Sequence, residues 1–413
     1  MKLLENVFSI KNVEDKRKNC KHKIITILGI KIKLRNKTEK IKNCVAILDC
    51  YGIGDYMMCR PYFQYLRNCP KYKDSFFIFL KNSGYNNIPE IYDDGFFDVI
   101  ISIPKDLKAL KKELDYNYEI TTVINLYTLL KQINFIDYCN LHNLVKTLNV
   151  KHSIADIITE SENDLNNKNL KIYDTCITTK PKYFELERRR QFFENLTQTS
   201  IPKTNKKIEP LFDLKQDYIC LSLCSNSLNR SYDNKKWIVI LNYLIANTPN
   251  NMQLVFLGSQ KERGKIDNIL QNLKSNNKCK NIAGTTTPAL LPVLLKGAKC
   301  LISVETGTVH IAESVNCPTL CMSCGAYWHR FLPYENTVIN YVLPDGFDEL
   351  LKEDNPEKLT QFYYANYTFT TLDIKPEKVI KYINKYLTMI IDNNNMPETL
   401  AHVERESNPP NGV

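Results

Sequence analysis

The stretch that most limits how this chain can fold is Cys300–Gly325, CLISVETGTVHIAESVNCPTLCMSCG. Cys300–Val304 is a short uncharged run, the pattern of a parallel strand covered on both faces. A polar turn follows, Glu305-Thr306-Gly307-Thr308, and then a short helix over Val309–Val315 that carries His310. A second buried strand is expected after Pro318. The turn therefore stands at a strand's carboxyl end. Open α/β sheets bind ligands there, because helix N-termini and free backbone N–H groups point into the crevice. Thr306 and Thr308 can cap the helix, Gly307 lets a ligand approach the backbone, and Glu305 offers a carboxylate to sugar or ribose hydroxyls.

A similar unit opens the chain. Cys44–Cys50 reads as a strand that runs through Tyr51-Gly52-Ile53-Gly54-Asp55 into a helix ending near Arg67. Strand, glycine-bearing turn and helix together suggest a Rossmann-like beginning. The lone G-x-G lacks the third glycine of a dinucleotide fingerprint. Further strands are expected at Ser75–Leu80, Phe97–Ile103 and Ile120–Leu126, and helices at Leu107–Leu114, Phe135–Val150 and Lys182–Leu196. Thr159–Leu170 reads as a loop and Thr197–Pro210 as a linker. The pattern then restarts, with strands at Tyr218–Leu223 and Met252–Leu257 and helices at Lys236–Ala246, Gly264–Leu273, Leu290–Gly297 and Pro376–Ile391.

A chain of 413 residues has room for two domains. Its 14 cysteines form no small-scaffold framework, and its opening does not read as a signal peptide. Scattered thiols in such a chain point to a reducing cytosol. No apolar run approaches the ~20 residues that span a bilayer. The net charge of +10 is concentrated: residues 1–45 hold 13 Lys/Arg against 4 Asp/Glu, leaving the rest near balance. Such a leader can rest on an anionic membrane surface or be a plain solvated tail. No nucleic-acid module is legible, so nucleic acid is not an expected partner. Within the leader, Lys23–Leu34 has the partial alternation of a small hairpin about Gly29.

VETGTVHIAESVNCPTLCMSCG resembles the signature of glycosyltransferase family 9, the bacterial lipopolysaccharide heptosyltransferases. Glu305 stands where the family carries Asp, and Glu313 where it carries a second Ala. The turn, His310, Ala312 and Pro318 keep register. GIGDYMMCRP matches the family's opening G-x-G-D with a proline, Pro61, ahead of a helix, and Lys235 before Trp237 matches its Lys-x-Trp. The resemblance implies an α/β fold of the GT-B type, two Rossmann-like domains facing across a cleft. The expected order is a basic leader (1–43), an acceptor-binding domain (44–200) and a nucleotide-sugar-binding domain (201–375). A terminal helix (376–392) packing back toward the first domain and a disordered tail (393–413) follow.

It also implies an inverting glycosyltransferase. A heptose-like sugar would pass from a nucleotide diphosphate, ADP by family, to a glycolipid or oligosaccharide acceptor of the lipopolysaccharide type. The alternatives are a GT-B transferase for another nucleotide sugar and a catalytically silent nucleotide-sugar-binding subunit. The expected location is cytoplasmic, either free or peripheral on the inner face of the inner membrane. GT-B transferases generally need no metal, because a lysine and helix dipoles serve the diphosphate, so no cofactor is expected.

The roles carry over residue by residue. Asp55 becomes the general base, although the local sequence alone favours a helix cap. Gly52 and Gly54 form the acceptor-side loop. Lys235 becomes the cation facing the leaving diphosphate, with Lys236 close enough to be confused with it. Arg230 and Ser231 fall where family members contact phosphates, Arg230 being a bulkier cation than usual. Gly258 and Glu262 correspond to the ribose site, and Thr286 to the adenine pocket. Glu305, Thr306, Gly307, Thr308 and His310 complete the donor site. His310 is either a phosphate contact or a satisfied buried histidine, and Glu262 either a ribose ligand or a solvent-facing first-turn carboxylate. The Arg188–Arg190 cluster is either an acceptor-phosphate site or a solvated helix face. Cys317, Cys321 and Cys324 read as small buried hydrophobes rather than a metal site.

Overall fold

The structure, a computed structural model, describes residues 8–15, 20–27, 30–35, 39–48, 52–82, 95–104, 106–129, 144–148, 150–158, 168–179, 184–203, 217–334, 338–364 and 366–391. The disordered-tail expectation for 393–413 lies outside these residues, as do most of the expected loop at 159–170 and most of the expected helix at 135–150.

Strands β1 (Phe8–Asp15), β2 (Cys20–Ile27) and β3 (Ile30–Arg35) form a separate antiparallel sheet in the leader. The expected hairpin is the β2–β3 pair, with Ile27 opposite Ile30.

The first large sheet is built from β4 (Ile41–Leu48), β5 (Phe76–Asn82), β6 (Val99–Ile103), β7 (Tyr118–Leu129), β8 (His152–Ile158) and β9 (Thr175–Thr179). Every pairing in it is parallel. Its order, β6-β5-β4-β7-β8-β9, reverses between β4 and β7. Helix α1 (Ile53–Asn68) follows β4, α2 (Leu107–Asn117) leads into β7, and α3 (Glu185–Thr197) follows β9. Pro61 lies inside α1, not ahead of it.

The second sheet repeats the plan. It comprises β10 (Tyr218–Ser222), β11 (Gln253–Leu257), β12 (Cys279–Asn281), β13 (Cys300–Val304), β14 (Thr319–Met322) and β15 (Ile339–Val342). All pairs are parallel, in the order β12-β11-β10-β13-β14-β15, reversing between β10 and β13. The helices are α4 (Asn234–Asn247), α5 (Arg263–Gln271), α6 (Leu291–Gly297) and α7 (Gly307–Ser314). After β15 come α8 (Asp345–Lys352), α9 (Pro356–Thr360) and α10 (Pro376–Ile391). Each sheet thus has the doubly wound order whose reversal opens a crevice at the strands' carboxyl ends.

Helix α10 does not cross back to the first domain. Val379, Ile383, Tyr386 and Leu387 form its apolar stripe and join the core of the second sheet against α4. Tyr386 Oη donates to the Thr319 carbonyl at 2.7 Å, fixing the helix to β14. Among the described residues no helix is long and apolar enough to cross a membrane.

The two halves meet through α1 and α7. One apolar cluster runs from Val45, Tyr56 and Phe63 in the first half to Cys220, Leu301 and Ile311 in the second. The helices approach so closely that a Cβ on Gly54 would stand 2.9 Å from His310 Cδ2. One on Gly307 would stand 2.8 Å from Ile53 Cβ. The glycine expected to admit a ligand at Gly307 therefore admits Ile53 of the first half.

A second bridge is ionic. Arg188 and Arg189 of α3 are fully buried, so the cluster is neither a solvated face nor an open phosphate site. Arg188 Nη1 donates to Asp156 at 2.6 Å and Nη2 to Glu185 at 2.6 Å. Arg189 also pairs with Asp156 and with Glu185. Arg330, from the second half, reaches Glu185 at 3.4 Å, and the Glu185 N–H donates to the Arg330 carbonyl at 2.7 Å. Burial alone would raise the Glu185 pKa; Arg188, Arg189 and Arg330 outweigh it and hold the carboxyl well below the usual range.

Removing one member of a buried ion cluster strands its partners without water. Arg188→Met is therefore expected to cost about 3–5 kcal/mol in chemical denaturation. Arg190→Met, whose partners Glu187 and Glu194 are partly solvated, is expected to cost about 0–1 kcal/mol. Gly54→Ala drives a methyl into His310 and is expected to cost about 1–3 kcal/mol in the same measurement.

Candidate active site between the two halves

Three carboxyl-end turns hold most of the candidate residues: those after β4, β10 and β13. The last two flank the reversal of the second sheet, since β10 and β13 are neighbours. The turns after β4 and β13 meet where α1 touches α7, and those after β10 and β13 meet at Arg230 and Glu305.

The turn after β4 enters α1 at once. Gly52 is the N-cap and Asp55 the third helical residue, so Asp55 is not the cap itself. Its Oδ2 accepts the Gly52 N–H at 3.2 Å. Its Oδ1 is buried and accepts no hydrogen bond among the described residues. Burial pushes the Asp55 carboxyl above its ordinary range; Arg330 and Arg189 pull down, and Glu185 pushes up. Capping thus takes one oxygen and leaves the other, more basic than a solvated carboxylate, without a partner.

In the turn after β13 the expected helix cap forms. Thr306 caps α7, its Oγ1 accepting the Thr308 N–H at 3.2 Å. Thr308 is half-buried in the first turn. Glu305 is buried, and its Oε2 accepts the Ser323 hydroxyl at 2.5 Å. Its Oε1 faces Arg230 Nη1 at 3.6 Å. His310 is 7% exposed; its Nδ1 lies 2.8 Å from Tyr334 Oη while its Nε2 edge abuts Gly54. Burial, then the Arg230 charge, presses its pKa down to about 4, so the ring is neutral at physiological pH. It can exchange hydrogen bonds with a phosphate but brings no charge to one.

The turn after β10 holds the cations. Ser231 Oγ donates to the Ser227 and Ser225 carbonyls at 2.9 and 3.2 Å, so its proton is engaged in shaping the loop. Arg230 lies over the Tyr327 ring, 5.7 Å from its centroid. Asp233 caps α4 through the Lys235 and Lys236 N–H groups. The two lysines then separate. Lys236 Nζ donates to the Leu372 and Ile374 carbonyls. Lys235 is exposed, and among the described residues its Nζ makes no hydrogen bond or ion pair. Of the two lysines, Lys235 is thus the one whose ammonium has no partner among the described residues. Trp237 is wholly buried and its Nε1 donates to the Leu223 carbonyl at 3.3 Å.

At the far end of the sheet, Glu262 Oε2 accepts the Ser259 N–H at 2.6 Å. Gly258 is close-packed, since a Cβ there would meet Glu262 and Ile266 at 3.2 Å. Thr286 is half-buried in the turn after β12. No side-chain hydrogen bond or ion pair joins Lys235 or Thr286 to the other candidates. Cys317, Cys321 and Cys324 are buried thiols, and no metal-holding group of His, Cys, Asp or Glu occurs among the described residues. Burial pushes the Cys324 pKa up to about 12 and those of Cys317 and Cys321 higher than normal too.

Sequence reasoning missed Ser323 and Tyr334. Val304 pairs with Met322, so Glu305 and Ser323 are lateral neighbours one residue further on, visible only once strand register is known. Tyr334 has no local signal; it reaches His310 and, in the first half, the Phe184 ring at 5.3 Å.

Comparison with known proteins places this geometry. The family described as Glycosyltransferase family 9 (heptosyltransferase) matches residues 173–358. Lipopolysaccharide heptosyltransferase 2 of Escherichia coli K12 is 26% identical over 140 residues, 33% of this chain and 37% of that protein. The match thus spans little more than a third of that relative's length. A family 9 glycosyl transferase from Veillonella parvula superposes with a TM-score of 0.61 at 12% identity, covering 86% of this chain and 99% of that one. The E. coli ADP-heptose lipopolysaccharide heptosyltransferase II superposes with a TM-score of 0.57 at 14% identity, covering 84% and 99%. The two-sheet framework is therefore that of a GT-B-like α/β protein, and residues 173–358, a little under half of the chain, match the glycosyltransferase family 9 model.

Proposed function

We propose that the chain is an inverting glycosyltransferase that moves a heptose-like sugar from a nucleoside diphosphate, ADP by analogy with its relatives, to a hydroxyl of a surface-glycan acceptor. The observation that carries this reading is the placement of Asp55. One oxygen is fixed by the Gly52 N–H, the other is buried and accepts no hydrogen bond among the described residues, and its helix abuts the β13–α7 turn of the other half. In the reaction Asp55 takes the acceptor hydroxyl proton as that oxygen attacks the anomeric carbon. The bond from that carbon to the diphosphate oxygen breaks, and its electron pair leaves with the diphosphate. Lys235 and the N–H groups at the start of α7 balance the charge that develops. Glu262 and Thr286 hold the nucleoside, and no metal enters the scheme.

A transfer assay with ADP-heptose and a lipopolysaccharide-core acceptor tests this. Asp55→Asn is expected to lower kcat by about 10²–10⁴-fold while donor binding stays within a few-fold. Transfer at the parent rate by Asp55→Asn removes the base assignment. Donor binding without turnover by the parent chain would favour a silent binding subunit, and preference for UDP over ADP in calorimetry another nucleotide sugar.

Two titrations follow from the electrostatics. Asp55 must be ionised to accept a proton and its pKa is raised, so kcat/KM is expected to fall as pH drops through a value above the ordinary ~4. That acid limb should be absent from the residual activity of Asp55→Asn. In histidine-labelled NMR spectra, His310 is expected to stay neutral down to about pH 4 without ligand. Bound ADP should raise that value, because a nearby anion favours imidazolium.

A further inference from the structure

Arg230 and Glu305 form a pair that the proposed reaction does not use. They come from the turns after β10 and β13, the two strands that flank the reversal of the second sheet. The pairing is incomplete on both sides. Arg230 Nη1 stands 3.6 Å from Glu305 Oε1, beyond hydrogen-bond length, and Arg230 Nε is buried with no acceptor among the described residues. Among the described residues Glu305 is hydrogen-bonded through Oε2 alone, to the Ser323 hydroxyl at 2.5 Å, and that hydroxyl in turn accepts the Gly325 N–H at 3.0 Å. The carboxylate is therefore fixed in place while its Oε1 holds a loosely engaged guanidinium. Arg230 is not locked either: its side chain keeps 27% of its exposure, and the Tyr327 face guides it without a directional bond.

A diphosphate offers what this guanidinium lacks, several charged oxygens in a geometry that matches its fork. Resting on the donor site proposed above, the geometry points to an exchangeable clamp, in which the donor's diphosphate draws Arg230 off Glu305 and the released Oε1 then accepts a hydroxyl of the donor sugar. Recognition of the two ends of the donor is thereby coupled. Free nucleoside diphosphate must compete with Glu305 for Arg230 and gets nothing back, whereas an intact nucleotide sugar replaces what it removes. The pair so defined selects for a donor with a sugar attached and against the spent nucleotide, a specificity that depends on both residues together.

Coupling of this kind has a sign that simple charge contact does not have. Calorimetry with ADP on the full chain reads it. Glu305→Gln keeps the acceptor for Ser323, loses the charge that holds Arg230, and is expected to bind ADP several-fold more tightly while binding ADP-heptose more weakly. Arg230→Met is expected to bind ADP about tenfold more weakly, the loss of one charge-assisted contact. In the double variant the gain from Glu305→Gln should vanish, since there is no guanidinium left to release. Arg230→Lys, which keeps charge but not the fork, should lie between parent and Arg230→Met, and thermal melts confirm that each variant is folded. Unchanged or weaker ADP binding by folded Glu305→Gln overturns the clamp, as does a gain that persists in the double variant. If Arg230→Met does not fold, the Glu305→Gln and Arg230→Lys affinities decide the matter alone. Lys235→Met separates the two levels. A parent that binds ADP, weakened by Lys235→Met, with Glu305→Gln silent, removes the clamp and leaves the donor site standing. A parent that binds neither ADP nor UDP removes both.

Discussion

The contact between α1 and α7 sets the rest of the molecule. Two residues without side chains, Gly54 and Gly307, let the start of one helix touch the start of the other. Each helix begins at the carboxyl end of a strand beside the reversal point of its sheet. Sheets of this order place their binding crevices there, so the contact brings two crevices into one. The carboxylate of Asp55 and the capped turn of α7 become parts of a single surface although some 250 residues separate them (roughly the size at which single cores divide into domains). The interface is a continuation of the core rather than a wet seam, because Tyr56 and Phe63 of one half belong to the same apolar cluster as Leu301 and Ile311 of the other.

Behind that contact lies the buried group of Asp156, Glu185, Arg188, Arg189 and Arg330. Buried ion clusters seldom add net stability over apolar packing of the same volume, because desolvation offsets the attraction. Their geometry is demanding, however. Arg188 satisfies Asp156, Glu185 and the Thr179 hydroxyl at once, and Glu185 must also meet Arg330 from the opposite half. An apolar patch would tolerate sliding, whereas this one penalises any displacement that leaves a charge unmatched. The cluster also lies within electrostatic reach of Asp55, on which Arg330, Glu185 and Arg189 all act.

Much of this was legible in the chain. Uncharged runs such as Cys300–Val304 and Tyr218–Ser222 announce parallel strands, and they are fully buried. Thr306 reads as a cap for the helix that carries His310, and it is one. What escaped detection depends on partners distant in sequence. Strands β8 and β9 were not expected, since His152–Ile158 and Thr175–Thr179 carry charge or hydroxyls that suggest surface until Asp156 finds its arginines. Three consecutive arginines look like a solvated face for the same reason. The terminal helix was assigned to the wrong half, because an apolar stripe states that a helix packs but not on what. In the site, the residues on turns could be read one by one. Which atoms remain available could not: Lys235 and Lys236 are equivalent until the Leu372 and Ile374 carbonyls claim one of them.

The allegiance of α10 bears on how the molecule is strung together. With that helix bound to β14 and β15, the described elements from β4 to α3 belong to one body and those from β10 to α10 to the other. Among the described residues the chain changes from one body to the other once, between α3 and β10. Two bodies joined by a single thread have no covalent brake on rotation. Whatever angle they keep is dictated by noncovalent fittings: the shared apolar cluster, the paired glycines and the Glu185–Arg330 hook. Loosening those fittings would alter the aperture of the crevice while each body kept its own shape.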